Sequence, residues 1–326
     1  MKPKYIFSMT TIPKRFASIE KTLLTLLKQK LQPEKIILNI PKKYNVRFET
    51  SIGAQQIENL KSRISSEKLV INMVDTDYGP GTKLLGLFSN NVVDMNDENT
   101  YIVLVDDDLL YRSYMLEYFN KYNNDNFYGN GMIISYYCYI SKITVAQGAD
   151  GIFIKSSLLQ NFLEYYNKIK DFDYIKFHDD YYISYYFHLQ NIPVKHMKSK
   201  AHRTIYDVNK FVTHIESLNE IEGKYNRQNL NEQVHNILEK EKKNGTFSFI
   251  SSPVESIYIG PCKTESLVVK LDKEYPSDTK LFFVHNFKDT FSYTFEHMEL
   301  KITRTDNNRN KKNQGWGQKL YGFISR

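Results

Sequence analysis

The chain has 326 residues, too many for one small domain and too few for three ordinary ones, so two domains or one large domain with an appendage are expected. Hydrophobic residues at 41% and charged residues at 25% exclude a disordered or membrane-embedded chain. A net charge of +7, from 44 basic and 37 acidic side chains, permits attraction to phosphate without calling for a nucleic-acid partner. The two cysteines, Cys138 and Cys262, exclude a disulfide scaffold and a cysteine-based zinc finger. The excess of 25 Tyr and 20 Phe over one Trp, with plentiful Lys, Ile and Asn, matches the codon usage of an AT-rich genome, such as that of a giant virus. No apolar run resembles a secretory signal or approaches the roughly 18 residues of a membrane span. A soluble, cytoplasmic protein is therefore expected, acting in the host cytoplasm or virion if the source is viral.

Taken in order, residues 4–9 form an apolar strand that ends at Thr10 and Thr11. After the turn at Pro13, Ile19, Leu23, Leu24, Leu27 and Leu31 fall at helical spacing, with Ser18 as N-cap. Strands follow at 35–40, stopped by Pro41, at 68–74 and at 101–105, with amphipathic stretches between them. The last of these is apolar throughout, as a central strand covered on both faces should be. This is the βαβ rhythm of a parallel α/β sheet. Helices are expected at 156–169 and 180–190. Another at 228–243, with Leu230, Val234, Ile237 and Leu238 on one face, ends at Asn244-Gly245. The rhythm then changes to strands alone at 256–260, 265–271, 280–285, 291–302 and 320–324. The expected division is 1–245, with 228–245 as a connecting helix, and 246–326 as a β-rich accessory domain.

In an open parallel sheet, ligands bind outside the carboxyl ends of the strands. Asp106-Asp107-Asp108 occupies that end of the 101–105 strand. Three adjacent carboxylates repel one another unless something positive sits among them, and Mg²⁺ or Mn²⁺ takes such hard oxygen ligands. The plainer reading is a solvated turn capping a helix that starts near Tyr111; the apolar strand directly before the triplet favours the metal.

A strand followed by this triplet resembles the DXD motif of GT-A glycosyltransferases that use nucleotide-sugar donors, of the family-2-like kind. The resemblance covers roughly residues 4–200. It includes Ser8–Phe16 as the loop that holds the nucleotide, Asp77-Tyr-Gly-Pro-Gly-Thr-Lys83 as a second donor-side loop, Gly148-Ala-Asp-Gly151 facing the sugar, and His178-Asp-Asp180 opening a helix. It implies a Rossmann-like, mixed, mostly parallel sheet with helices on both faces, joined here to a small C-terminal antiparallel β domain. It implies that Thr10, Thr11, Arg15, Lys83, Asp106, Asp107 and Asp150 bind the nucleotide sugar, a UDP-sugar above all. Asp106 and Asp108 would hold Mn²⁺ or Mg²⁺, with His202 as a third ligand and His196 as its competitor. Asp180, or else Asp179, would deprotonate a glycan or protein acceptor, giving inversion. Lys83 and Arg15 could add fixed positive charge for the leaving diphosphate.

Other readings attach to the same residues. Asp179 and Asp180 are good helix N-terminal residues, and capping is the sole role expected of one of them. His178 is expected to be a bystander, and Tyr181, Tyr182, Tyr185 and Tyr186 are expected to pack rather than to stack on sugar. Trp316 lies between two glycines near Arg309, Lys311, Lys312 and Lys319 and is expected to anchor the small β domain. A homo-oligomer, if one forms, is assigned to that domain. The rival functions are a catalytically inactive sugar-nucleotide-binding protein, a sugar nucleotidylyltransferase, whose glycine is missing from Ser8–Phe16, and a nucleic-acid binder using the basic loop.

Overall fold

The computed structural model describes residues 2–125, 133–197 and 225–250, together with the backbone of five later strands. The first strands are β1 (Lys4–Thr10), β2 (Lys35–Pro41), β3 (Leu69–Val74) and β4 (Thr100–Leu104). They are followed by β5 (Ile133–Ser135), β6 (Cys138–Ile140), β7 (Thr144–Ala146), β8 (Ile152–Lys155) and β9 (Val194–His196). Seven of these form one sheet in the order β3-β2-β1-β4-β8-β5-β9, and β6 and β7 form a separate hairpin. Pairing is parallel from β3 to β4 and between β5 and β9, while β8 runs against both of its neighbours. The fold is thus a mixed, mostly parallel α/β sheet.

Alternation along the central strands explains why both faces are covered. Ile6, Ile37, Ile102 and Leu104 enter one core, while Phe7, Met9, Leu38 and Val103 enter the other. Helices α1 (Ile19–Leu27), α2 (Ala54–Ile64) and α4 (Met115–Asp125) supply the second core through Leu23, Leu60 and Phe119. The first core takes Leu84 from α3 (Thr82–Leu85), Tyr165 from α5 (Phe162–Ile169), Tyr185 from α6 (Asp179–Leu189) and Val234 from α7 (Arg227–Lys243). Tyr181, Tyr182, Tyr185 and Tyr186 are all buried there, so they serve packing, as expected.

Several boundaries differ from the sequence pattern. The first helix stops at Leu27, and Leu31 reaches the core from the loop beyond it. Ser18 holds the N-cap position, but its hydroxyl donates back to the Arg15 carbonyl at 2.9 Å instead of capping. The stretch 156–169 is divided: Ser156–Leu159 is a 3-10 turn and α5 begins only at Phe162. The helix after the acidic triplet begins at Met115, not near Tyr111, because Tyr111 is turned inward and its hydroxyl accepts from the Asp106 N–H at 2.8 Å.

Beyond residue 250, β10 (Ser256–Ile259), β11 (Ser266–Lys270) and β12 (Lys280–Phe283) precede β13 (Phe291–Glu296) and β14 (Glu299–Arg304). The last two replace the single strand expected at 291–302 with a hairpin closed between Glu296 and Glu299. Strands β11, β14 and β13 form an antiparallel sheet, whereas β10 and β12 pair in parallel. Cys262, the strand expected at 320–324, and Trp316 with its basic neighbours lie outside the described residues, as does His202.

Candidate active site

The carboxyl ends of β1, β2, β3 and β4 open into a cavity of about 190 Å³. Its lining includes Thr10, Thr11, Arg15, Lys83, the whole Asp triplet, Asp179 and Asp180, so the structure gathers most of the site residues expected from sequence. Asp150, next to the lining residue Ala149 in the chain, is buried and is not among the residues that line the cavity. His196 lies elsewhere, edge-on to Tyr137 at 5.6 Å.

One wall is built from backbone. The buried Asp77 accepts from the N–H groups of Asn45 and Val46 with Oδ2 and from Gly79 N–H with Oδ1, each at 2.9 Å. It thereby fixes the loop after β2 against the loop after β3. Tyr44 donates to the Thr11 carbonyl at 2.9 Å, Phe48 meets Tyr44 edge-on, and Arg47 lies 5.1 Å over the Phe48 ring. Thr10 donates to the Asn39 carbonyl, tying β1 to β2 at the mouth.

The acidic triplet is held by two cations of the chain. Arg15 Nη1 lies 2.6 Å from Asp107 Oδ1 and 3.1 Å from Asp108 Oδ2, and Thr11 donates to Asp107 Oδ2 at 2.7 Å. Lys83 donates to Asp106 Oδ1 at 2.8 Å, and its Nζ is also 2.9 Å from Asp179 Oδ2. The latter approach is off the hydrogen-bond direction, leaving Asp179 Oδ2 in an ionic contact without a hydrogen bond. Burial alone would lower the Lys83 pKa, yet Asp106, Asp179 and Asp180 together push it well above the usual lysine value, so this lysine stays charged.

Lys83 is positioned by a polar chain under α3. Ser8 donates its hydroxyl to the Lys83 carbonyl, Asn39 Nδ2 donates to Ser8 Oγ at 2.9 Å, and Asn72 Nδ2 donates to Asn39 Oδ1 and to the Gly86 carbonyl at 2.8 Å each. The sequence reading missed Asn39 and Asn72. Their signal was available: each is polar within an otherwise apolar strand, and a buried amide needs partners.

Asp179 and Asp180 begin α6. Asp180 Oδ1 accepts from Gly148 N–H at 3.0 Å, and Oδ2 lies 3.5 Å from Arg227 Nη2. Burial and the adjacent Asp179 carboxylate raise the Asp180 pKa to about 7. The approach of Gly148 depends on its lack of a side chain: a Cβ there would lie 2.8 Å from Lys83 Nζ and 3.0 Å from Asp180 Oδ1. His178 is buried and donates from Nε2 to Asn231 Oδ1 at 2.6 Å, a structural role that matches the bystander reading. Arg227, on a helix read from sequence only as a connector, lies 5.7 Å over the Tyr139 ring and lines the cavity. Nothing in its local sequence marks it, since its place at the site follows from how α7 packs on α6.

Among the described residues, the cavity is lined by six aspartates and four cations, with no His, Cys or Glu. Hard oxygen donors and a surplus of two negative charges suit one Mg²⁺ or Mn²⁺ ion. Of the two expected ligands, Asp106 holds Lys83 through Oδ1 and Asp108 holds Arg15 through Oδ2, so each has one carboxylate oxygen outside these ion pairs. No group of three or more His, Cys, Asp or Glu side chains among the described residues is arranged as a metal cluster.

The fold and site together define a mixed α/β protein with a charged ligand cleft at the carboxyl ends of its strands. No protein-family model matches the chain, and no curated protein matches its sequence. Among solved structures, it is similar to S. aureus TarS 1-349 at 14% identity and a TM-score of 0.33, over 55% of each chain. It is also similar to S. aureus TarS 1-349 in complex with UDP, at 15% identity and a TM-score of 0.37, over 76% of this chain and 75% of that one. No helix among the described residues is long and apolar enough to cross a membrane.

Proposed function

We propose that this chain is a metal-dependent glycosyltransferase. It moves a sugar from a nucleoside-diphosphate donor, with a UDP-sugar as first choice, to a hydroxyl of a glycan or protein acceptor, with inversion. The observation that carries this reading is Asp180. It is a buried carboxylate with a pKa raised to about 7, in the same cleft as the acidic triplet at the end of β4. A general base works best when its pKa lies near the working pH.

In the reaction, the acceptor oxygen bonds to the anomeric carbon as the bond from that carbon to the diphosphate breaks. The hydroxyl proton passes to Asp180, and the nucleoside diphosphate leaves with the electron pair. Asp179, held by Lys83, is assigned to keep the start of α6 in place rather than to act as base. Thr10 and Thr11, beside Tyr44 and Phe48, form the nucleobase side of the cleft. Asp107 serves the nucleotide by fixing Thr11 and Arg15. A divalent ion held by Asp106 and Asp108, with His202 as a further candidate ligand, would stabilise the leaving diphosphate as a Lewis acid. Arg15 and Lys83 provide fixed positive charge around the same acids. A cytoplasmic site of action and self-association through the strands beyond residue 246 belong to the same reading.

The test is a screen of nucleotide sugars, with and without Mn²⁺, for thermal stabilisation and for release of nucleoside diphosphate. Mn²⁺-dependent release that Asp108→Asn abolishes is expected, and unchanged turnover by that variant would remove the metal assignment. Donor binding indifferent to Mn²⁺, with no turnover on any acceptor, would make the chain a binding protein instead.

A further inference from the structure

The cations expected to meet a diphosphate are already engaged. Arg15 bridges Asp107 and Asp108 with its side chain 11% exposed, and Lys83 lies between Asp106 and Asp179 with 4% exposed. Arg227 differs from both. Its side chain is 34% exposed within the same cleft, and its approach to Asp180 is at the 3.5 Å limit of a hydrogen bond. A guanidinium carries five N–H donors in a planar fork, and these two contacts engage one nitrogen and the face above Tyr139.

We infer that Arg227 is the residue that receives the diphosphate of the nucleotide, a role that rests on the glycosyltransferase reading of the cleft. Three features hold it there. Asn226 caps α7 by accepting from Asn229 N–H at 2.9 Å. One turn further on, Asn231 Oδ1 accepts from His178 at 2.6 Å and from Tyr139 at 2.9 Å. Leu230, Val234 and Leu238 anchor the helix in the core. The arginine is therefore carried on a fixed element, and its planar fork suits two phosphate oxygens at once.

The experiment is binding of UDP, GDP, ADP and CDP by calorimetry, and of the matching nucleosides by ligand-observed NMR. Each is measured for the full chain, for Arg227→Gln and for Arg227→Lys. For whichever diphosphate the wild type binds, Arg227→Gln is expected to weaken affinity about tenfold to a hundredfold. The nucleoside should bind unchanged, and Arg227→Lys should recover part of the loss. Matching thermal midpoints for the variants would exclude unfolding as the cause. Equal affinity of wild type and Arg227→Gln for the diphosphate overturns the inference, as does an equal loss for diphosphate and nucleoside. A wild type that binds none of the four diphosphates overturns the glycosyltransferase reading itself, and this inference with it.

Discussion

Asp180 and Lys83 both crowd Gly148, and each can be tested alone. Asp180→Asn keeps the Gly148 N–H contact but cannot take a proton. Transfer should fall by a factor of about 10² to 10⁴ while donor affinity holds. In the wild type, the base is competent only when ionised, so activity should rise with pH through about 7. That rising limb should vanish from the residual rate of the variant; a limb that persists would move the base to another group, Asp179 first. Lys83→Met removes the cation between Asp106 and Asp179 and leaves buried carboxylate charge uncompensated. A stability loss of about 3–5 kcal/mol is expected by urea unfolding, and adding Asp179→Asn should recover part of it. Gly148→Ala drives a methyl against Lys83 Nζ and Asp180 Oδ1, so it should cut transfer more than it lowers the thermal midpoint.

At the scale of elements, the buried imidazole of His178 directly before α6 is expected to make the fold sensitive to acid. Burial, with Arg227 adding to it, pushes the His178 pKa from its usual 6.5 down to about 4. Between those values the unfolded chain binds a proton that the folded chain refuses. The stabilisation is therefore full above about pH 6.5 and is lost as pH falls through about 4, by up to roughly 3 kcal/mol. His178→Gln should flatten the decline in urea midpoint between pH 6.5 and 4.5; an unchanged slope would place the acid sensitivity elsewhere. Legibility follows the same division between local and assembled features. Strands β1 to β4 and the triplet were readable because their apolar runs and turns are local. Strands β5 to β9 have three or four residues each, too few to show a period, and the reversed β8 depends on its neighbours. Asn39 and Asn72 stand opposite each other in register, a pairing that only the assembled sheet reveals. Arg227 belongs to the site because α7 docks on α6 through Asn231, which no pattern within residues 227–243 encodes.

For the whole molecule, the question is where the α/β unit ends. Composition and rhythm suggest residue 246, but packing continues further. Phe247 is buried, with its ring 5.1 Å from that of Tyr165, and Phe249 and Ile250 pack against the same core. Leu230, Val234 and Leu238 bring the chain to that place, and the turn at Gly245, where φ is +75°, redirects it inward. A fragment ending at Ile250 should therefore keep the full core, whereas one ending at Gly245 lacks the Phe247 ring. Loss of a buried Phe costs about 3–5 kcal/mol, which for a unit of this size lowers the thermal midpoint by roughly 10 °C. If the strands beyond residue 256 only append to this unit, the fragment 1–250 should match the full chain in thermal midpoint and nucleoside-diphosphate affinity, while 1–245 melts lower. A fragment 1–250 that is as unstable as 1–245 would show instead that the C-terminal strands complete the fold.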